Sequence, residues 1–539
     1  MSFAESTKFI DKPTFFGALG LLLLVTLPLL FYPEQGAVWV KVARDFLVTN
    51  FGFAYLLLGI GSFVFMLYIA FSDIGKIRLG DPDTEPEFST LSWAAMLFCA
   101  GIGASILYWA LIEWAYYYQS APFLVEGQTV DAMRWASAYG IFHWGPLAWS
   151  IYLIPALPIA YFYHVRHGSV LKVSEAIAPV ISEKVAHGPV GKLVDVLFVF
   201  GMLGGGATSL GLAAPLINEG MHELFGAPRD IGTQIFVLIL CTSIFGASAY
   251  SGLKKGIQTL SNINLWLALG LLSFVFLVGP TVFLAETALE SIGILFDNFF
   301  KMSTWMEPFG GYNNFPDTEF PQDWTVFYWA WWLAFAPSVG LFIARISRGR
   351  TMGSMIIGSL FYGSFGCALF FMILGNYAIH LQITGAVDVV NILNTETPTA
   401  AIFSVLGHLP LRTLVIGVYT LLAIIFVATT FDSISYILAS VVQKQIDEEP
   451  LRWNRLFWAA ALSFMPIALL LLGGLETLQT ASIVGGAPLL IIALLLCMSI
   501  YKVASYDLKF QPHVEDKQID VNEFPRHDPW HPKGNWEQE

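Results

Sequence analysis

Trp324-Thr325-Val326-Phe327-Tyr328-Trp329-Ala330-Trp331-Trp332-Leu333-Ala334-Phe335-Ala336-Pro337-Ser338-Val339-Gly340-Leu341-Phe342-Ile343-Ala344 is an unbroken run without a charged residue. As a helix rising about 1.5 Å per residue it crosses the roughly 30 Å hydrocarbon core of a bilayer. Similar runs recur along the chain. Their periodicity and length predict twelve spans, at 13–32, 51–73, 91–113, 136–163, 193–222, 231–251, 260–285, 324–344, 353–381, 411–440, 455–474 and 481–501. Composition agrees: 56% of residues are hydrophobic and 12% charged, against about 25% charged in an ordinary soluble domain. The expected fold is therefore an all-α polytopic membrane protein with 12 transmembrane helices. A short segment, 1–12, precedes two helices and a loop over 13–90. A ten-helix core follows over 91–502, then a polar, weakly ordered tail over 503–539. The first run is long enough to span and no small-residue cleavage site follows it, so it reads as a helix rather than a signal peptide.

The basic residues set the orientation. Under this topology one side holds 21 of the 27 lysines and arginines, including Arg166, Lys172, Arg345, Arg348, Arg350 and Arg455. The other side keeps Lys41, Arg44, Arg134, Arg229, Lys301 and Arg412. The positive-inside rule places the first side, with both termini, in the cytoplasm. The expected location is the inner (plasma) membrane of a bacterium. The net charge of −13 lies mainly in loops and tail and reads as solubilising, not as a call for a nucleic-acid or other basic partner. Cys99, Cys241, Cys367 and Cys497 fall inside spans without a CxxC pair and read as apolar packers. No GxxxxGK[ST] element occurs, which argues against an ATP-driven pump. His143 and His380 lie in spans without a helically spaced histidine partner, so no haem or metal pair is visible, and an enzyme is the least expected class.

In hydrocarbon, an interrupted helix leaves backbone groups that must line a cavity or bind something, and transporters build sites from such breaks. Three stretches qualify. Span three contains Gly101-Ile102-Gly103-Ala104-Ser105 and then Glu113, Trp114, Tyr116, Tyr117 and Tyr118; it reads as a binding element. Span eight contains Ala336-Pro337-Ser338-Val339-Gly340. Span five contains Gly204-Gly205-Gly206-Ala207-Thr208-Ser209, which reads as close helix packing.

Aromatic residues give a second signal. Trp324, Tyr328, Trp331 and Phe335 follow helical spacing and form one stripe. Span four holds His143-Trp144-Gly145-Pro146, then Trp149 and Tyr152. An interfacial belt accounts for Trp324, near a loop, but not for the deeper Trp144, Trp149, Trp331 and Trp332. Deep indole faces suit a cation that cannot be met by hydrogen bonds, such as a quaternary ammonium, at about 0.5–2 kcal/mol per face.

WTVFYWAWW at Trp324–Trp332, ARISRGRT at Ala344–Thr351 and FHWGPLAW at Phe142–Trp149 closely resemble the signatures of the betaine/carnitine/choline transporter family. The resemblance extends over about residues 13–502. It implies a leucine-transporter-like core of two inverted five-helix repeats, spans 3–7 and 8–12, behind two extra N-terminal helices. It also implies a homotrimer. The family's substrate cage maps onto Trp144, Trp149, Tyr152, Trp331, Trp332 and Phe335, and Tyr116 matches a cage tyrosine of the family's carnitine transporter. Phe335 and Val339 depart from that transporter, which has tyrosine and methionine there. Ser105 stands where the family's glycine-betaine carriers have a third glycine, and its hydroxyl can meet a carboxylate or hydroxyl. The substrate class is then glycine betaine, carnitine or dimethylsulfoniopropionate; choline would be expected with an acid in this stretch.

One family sodium site maps onto the carbonyls of Cys99 and Ile102 with Phe426, Thr429 and Thr430. Hard oxygens suit such a cation, although Thr429 and Thr430 could instead bond back to their own helix. Sodium-independent exchangers of the family carry an arginine where this chain has Asn264, and a neutral amide cannot replace that charge. The expected function is sodium-coupled import of a betaine-type zwitterion, with sodium as coupling ion and no other cofactor. Exchange without sodium is the first alternative, and an osmosensing membrane protein the second.

Overall fold

A computed structural model describes residues 7–81, 83–100, 103–167, 172–251, 254–444, 450–473 and 475–510. Within them the chain is helical, and pairing between extended segments is limited to the isolated bridges Ile10–Gln443 and Arg78–Thr351. The main helices are α1 (Lys12–Phe31), α2 (Pro33–Phe71), α3 (Thr90–Ala100), α4 (Ala104–Gln119), α5 (Val130–His143), α6 (Pro146–Ala160), α7 (Pro189–Phe225), α8 (Ile231–Ser251), α9 (Lys254–Val278), α10 (Thr281–Thr304), α11 (Phe327–Ile346), α12 (Met352–Ile383), α13 (Arg412–Val441), α14 (Arg452–Leu472) and α15 (Leu475–Phe510). Among the described residues nine segments are long and apolar enough to cross a membrane, or ten if the bent pair formed by residues 262–278 of α9 and α10 is one span.

Each of the twelve expected spans has a helical counterpart, but three are not single long apolar helices. The third is divided into α3 and α4, the fourth into α5 and α6, and the apolar part of the sixth is short, Ile231–Gly246. Conversely, α10 was not among the expected spans. It leaves α9 at a 112° bend at Gly279-Pro280. Its exposed side carries Glu286, Glu290 and Lys301, while Leu284, Ser291, Leu295 and Met302 are buried. An amphipathic helix of this kind has no continuous apolar run to read.

The glycine stretch of span five is packing. α7 runs through it without interruption, and a Cβ on Gly204 would lie 2.6 Å from the Ala481 carbonyl oxygen of α15. Thr208 Oγ1 donates to the Leu478 carbonyl 2.7 Å away, stitching the same two helices. The expected break in span eight is a correction. α11 continues through Pro337 to Ile346. Giving up intrahelical bonds in hydrocarbon is costly, so a proline there bends a helix without ending it. Gly340 then allows α6 to lie close, its Cβ position being 3.0 Å from Ala156 N.

At the face bearing most basic residues, the segment before α1 is tied down. Asp11 N donates to Val442 O at 2.8 Å, and the buried Asp11 carboxylate accepts from Lys172 and Lys192.

Candidate functional site

Span four is broken at its centre, and the sequence dictates where. α5 ends at His143, Trp144 is its C-cap, Gly145 is extended, and Pro146 opens α6 at the first-turn position a proline tolerates. The last carbonyls of α5 therefore need partners outside the helix. Trp332 Nε1 on α11 donates to the His143 carbonyl at 2.9 Å, which fixes one indole against the break.

Around that junction the aromatic side chains form a box. Trp331 and Trp332 stack with centroids 4.9 Å apart and 13° between planes. Trp144 stands against both, 4.6 Å from Trp332 at 70° and 6.1 Å from Trp331 at 82°. Tyr152 meets Trp332 at 5.8 Å, Trp149 meets Tyr152 at 5.7 Å, and Phe335 lies edge-on to Trp331 at 6.5 Å. Trp144, Trp149, Trp331 and Trp332 are buried, and Trp331 Nε1 is without a hydrogen-bond partner. α12 supports the box through two π-helical turns, Ser359–Gly363 and Phe371–Gly375. Gly363 lies where a Cβ would be 2.2 Å from the Trp149 ring, and Phe371 packs 5.8 Å from Trp144.

Behind the box lies a fully buried carboxylate. Glu113 Oε1 accepts from Tyr117 Oη at 2.6 Å, and Oε2 accepts from Tyr328 Oη and from Trp144 Nε1, the latter at 3.2 Å. His143 Nδ1 is 2.9 Å from Tyr117 Oη, and its Nε2 is 3.1 Å from Thr325 Oγ1. The proton order follows by counting. With the Tyr117 proton given to Glu113, the Tyr117 oxygen accepts from His143 Nδ1–H; in the neutral tautomer assigned here Nε2 then accepts from Thr325. Three donors thus face the carboxylate, from Tyr117, Tyr328 and Trp144.

The other candidate region is the interruption of span three. α3 ends at Ala100, Gly103 is extended, and α4 begins at Ala104. Ile102, expected to offer a carbonyl, lies outside the described residues, as does Gly101; of Cys99 the structure describes only its place in α3. Ser105 is buried in the first turn of α4, and its Oγ donates to Ser209 Oγ of α7 at 3.4 Å. Thr430 of α13 faces the break: a Cβ on Gly103 would meet its Oγ1 at 3.8 Å. Thr429 Oγ1 instead bonds back to Ile425 O at 3.0 Å and Phe426 O at 3.2 Å. The two neighbouring hydroxyls therefore follow different readings. Asn264 on α9 is buried, and its Oδ1 has no partner.

Two aromatic residues sit elsewhere than expected. Tyr116 joins Trp324 (5.2 Å) and Trp109 (6.1 Å) beside the box rather than in its wall. Trp324 is not an interfacial anchor: it is 7% exposed, covered by Trp109, Tyr116 and Tyr117 after the π-helical turn Pro321–Val326 tucks it inward. Sequence reasoning also missed Tyr328 as a hydroxyl partner and Glu113 as a hub. A lone acid in mid-span was the available signal for Glu113. Exposure along α11 is one-sided: Phe327–Trp332 are buried, whereas Phe335, Val339 and Phe342 are half-buried and Arg345 exposed. Thr429, Thr430 and Ser433 on α13 are half-buried as well.

A model of the family described as "BCCT, betaine/carnitine/choline family transporter" matches residues 13–509. The glycine betaine transporter OpuD of Bacillus subtilis (strain 168) is 41% identical over 466 residues, covering 86% of this chain and 88% of that protein. The uncharacterized transporter YeaV of Escherichia coli (strain K12) is 37% identical over 432 residues, 80% and 88% of the two chains. A carnitine transporter of Acinetobacter baumannii is 34% identical over 482 residues, 87% and 85% of the two chains. A solved sodium-coupled sialic acid symporter is 13% identical with a TM-score of 0.36 over 85% of this chain and 84% of that one, too slight a likeness to speak for this chain.

Proposed function

Since the chain belongs to the betaine/carnitine/choline transporter family, we propose that it is a sodium-coupled symporter importing a betaine-type zwitterion, either glycine betaine, carnitine or dimethylsulfoniopropionate. The observation that carries this reading is the buried box of Trp144, Trp331 and Trp332. A trimethylammonium or sulfonium head has no N–H to donate, so polar groups cannot satisfy it. Aromatic faces can, and a carboxylate behind one of them raises the field the head meets.

The zwitterion's carboxylate would lie toward the first turn of α4, where backbone N–H groups and Ser105 are donors. Sodium would sit between the interruption of span three and Thr430, using oxygen donors that the helix break frees. Asn264, neutral and without a partner at Oδ1, supplies no cation of its own there. The one-sided exposure of α11 and α13 corresponds to a carrier shut above the box and loosened toward its basic, cytoplasmic face. The inverted-repeat core, a homotrimer and a bacterial inner membrane complete the proposal.

Exchange without sodium is the second reading, and the back-bonded Thr429 hydroxyl favours it. Uptake of radiolabelled betaine into proteoliposomes distinguishes the two. Symport requires an inward sodium gradient; exchange requires internal substrate and proceeds equally in potassium.

A further inference from the structure

A carboxylate at 0% exposure within a bilayer-spanning bundle is expensive unless something is gained by it. Among the described residues no lysine or arginine lies within ion-pair distance of Glu113; its closest basic atom is His143 Nδ1 at 3.7 Å. In the neutral tautomer assigned above, that imidazole gives its Nδ1–H to Tyr117. Tyr117, Tyr328 and Trp144 supply hydrogen bonds but no charge. Three donors therefore converge on this carboxylate, and among the described residues no lysine or arginine side chain is placed to pair with it. One of those donors, Trp144, is itself a wall of the box.

We infer that Glu113 is the fixed counter-charge for the substrate's cationic head, acting through and past the Trp144 ring, so that the box selects charge before shape. This rests on the proposed betaine-type substrate and deepens it. Two effects run in the same direction. The Coulomb attraction between carboxylate and head is unscreened by water in a buried box. A hydrogen bond accepted from Nε1 also leaves the Trp144 ring richer in electron density, which strengthens its attraction for a cation. The carboxylate accepts from Nε1 of Trp144, so it acts on the head by way of that ring. An anionic or neutral head of the same shape gains neither effect. The arrangement also accounts for Tyr328, whose hydroxyl points at Glu113 while its ring lines Trp332 at 5.5 Å.

The test uses the full-length protein and two ligands of nearly equal shape: glycine betaine and 3,3-dimethylbutanoate, in which carbon replaces the quaternary nitrogen. Binding is measured by calorimetry in wild type and Glu113→Gln. Wild type should prefer betaine by tenfold or more. In Glu113→Gln the betaine affinity should fall about tenfold, while the isostere's stays within twofold. An equal loss for both ligands makes Glu113 a structural residue and overturns the inference, as does no loss for either. Should Glu113→Gln not fold, Tyr328→Phe serves: it removes a hydroxyl and keeps the charge, so the preference must survive, and its disappearance overturns the counter-charge. A wild type that binds neither ligand contradicts the proposed substrate class instead.

Discussion

The aromatic box and the interruption of span three are both products of a broken helix, yet they are finished to different degrees. At the span-four break the protein supplies its own partners: Trp332 takes the His143 carbonyl, and Trp144 and Tyr328 converge on Glu113. At the span-three break the groups are incomplete. Thr430 Oγ1 lies 3.8 Å from a Cβ built on Gly103, and Thr429 has turned back to its own helix. A preorganised site loses little entropy when its ligand arrives, whereas an unfinished one gains its order from the guest. On this contrast we propose that the box sets intrinsic affinity for the head group, and that the second region makes that affinity conditional.

The largest effect is expected where the box is most tightly made. Gly363→Ala would drive a methyl to within 2.2 Å of the Trp149 ring, and overpacking of this kind costs about 3 kcal/mol. A lowered thermal unfolding midpoint together with lost betaine binding is the expected result. Wild-type values for both would show that Trp149 can yield and that the box is looser than its geometry implies. Next in size is Trp331→Leu, which keeps an apolar side chain but deletes a cation-binding face. Betaine affinity should drop about tenfold, or 1–2 kcal/mol, by calorimetry. The loss should be the same in sodium and in potassium, because the box is complete without the ion.

The second region should behave in the opposite manner. Thr430→Ala is expected to leave affinity in potassium untouched and to cut the enhancement by sodium about fivefold, the low end of ordinary coupling between sites. Thr429→Ala should have the smallest effect, under about twofold, because its hydroxyl already serves Ile425 and Phe426. A larger effect at Thr429 than at Thr430, with betaine binding titrated against sodium by calorimetry for both variants, would reverse their assignment.

Much of this contrast was legible in the residues. Twelve apolar runs, the deep tryptophans and the Gly-rich interruption all depend on local pattern, which sequence carries directly. What escaped depends on three-dimensional neighbours. Pro337 looked like a stop, but the helix continues through it, because backbone bonds given up inside the bundle would find no other partners. Trp324 sits beside a loop in the chain, but a π-helical turn and the rings of Tyr117 and Trp109 cover it. α10 went unnoticed because its apolar positions are interleaved with Glu286, Glu290, Asp297 and Lys301. Glu113 was visible as an acid in a span, while its donors come from residues 4, 31 and 215 positions away. No spacing rule brings those together.

The most direct test of sodium-coupled betaine transport is the affinity of wild-type protein for glycine betaine, titrated against sodium at constant ionic strength with potassium as replacement. The account predicts that affinity rises with sodium, and that sodium affinity rises with betaine by the same factor, about 5–150-fold. Betaine binding that is indifferent to sodium, together with uptake that proceeds fully in potassium, would contradict it.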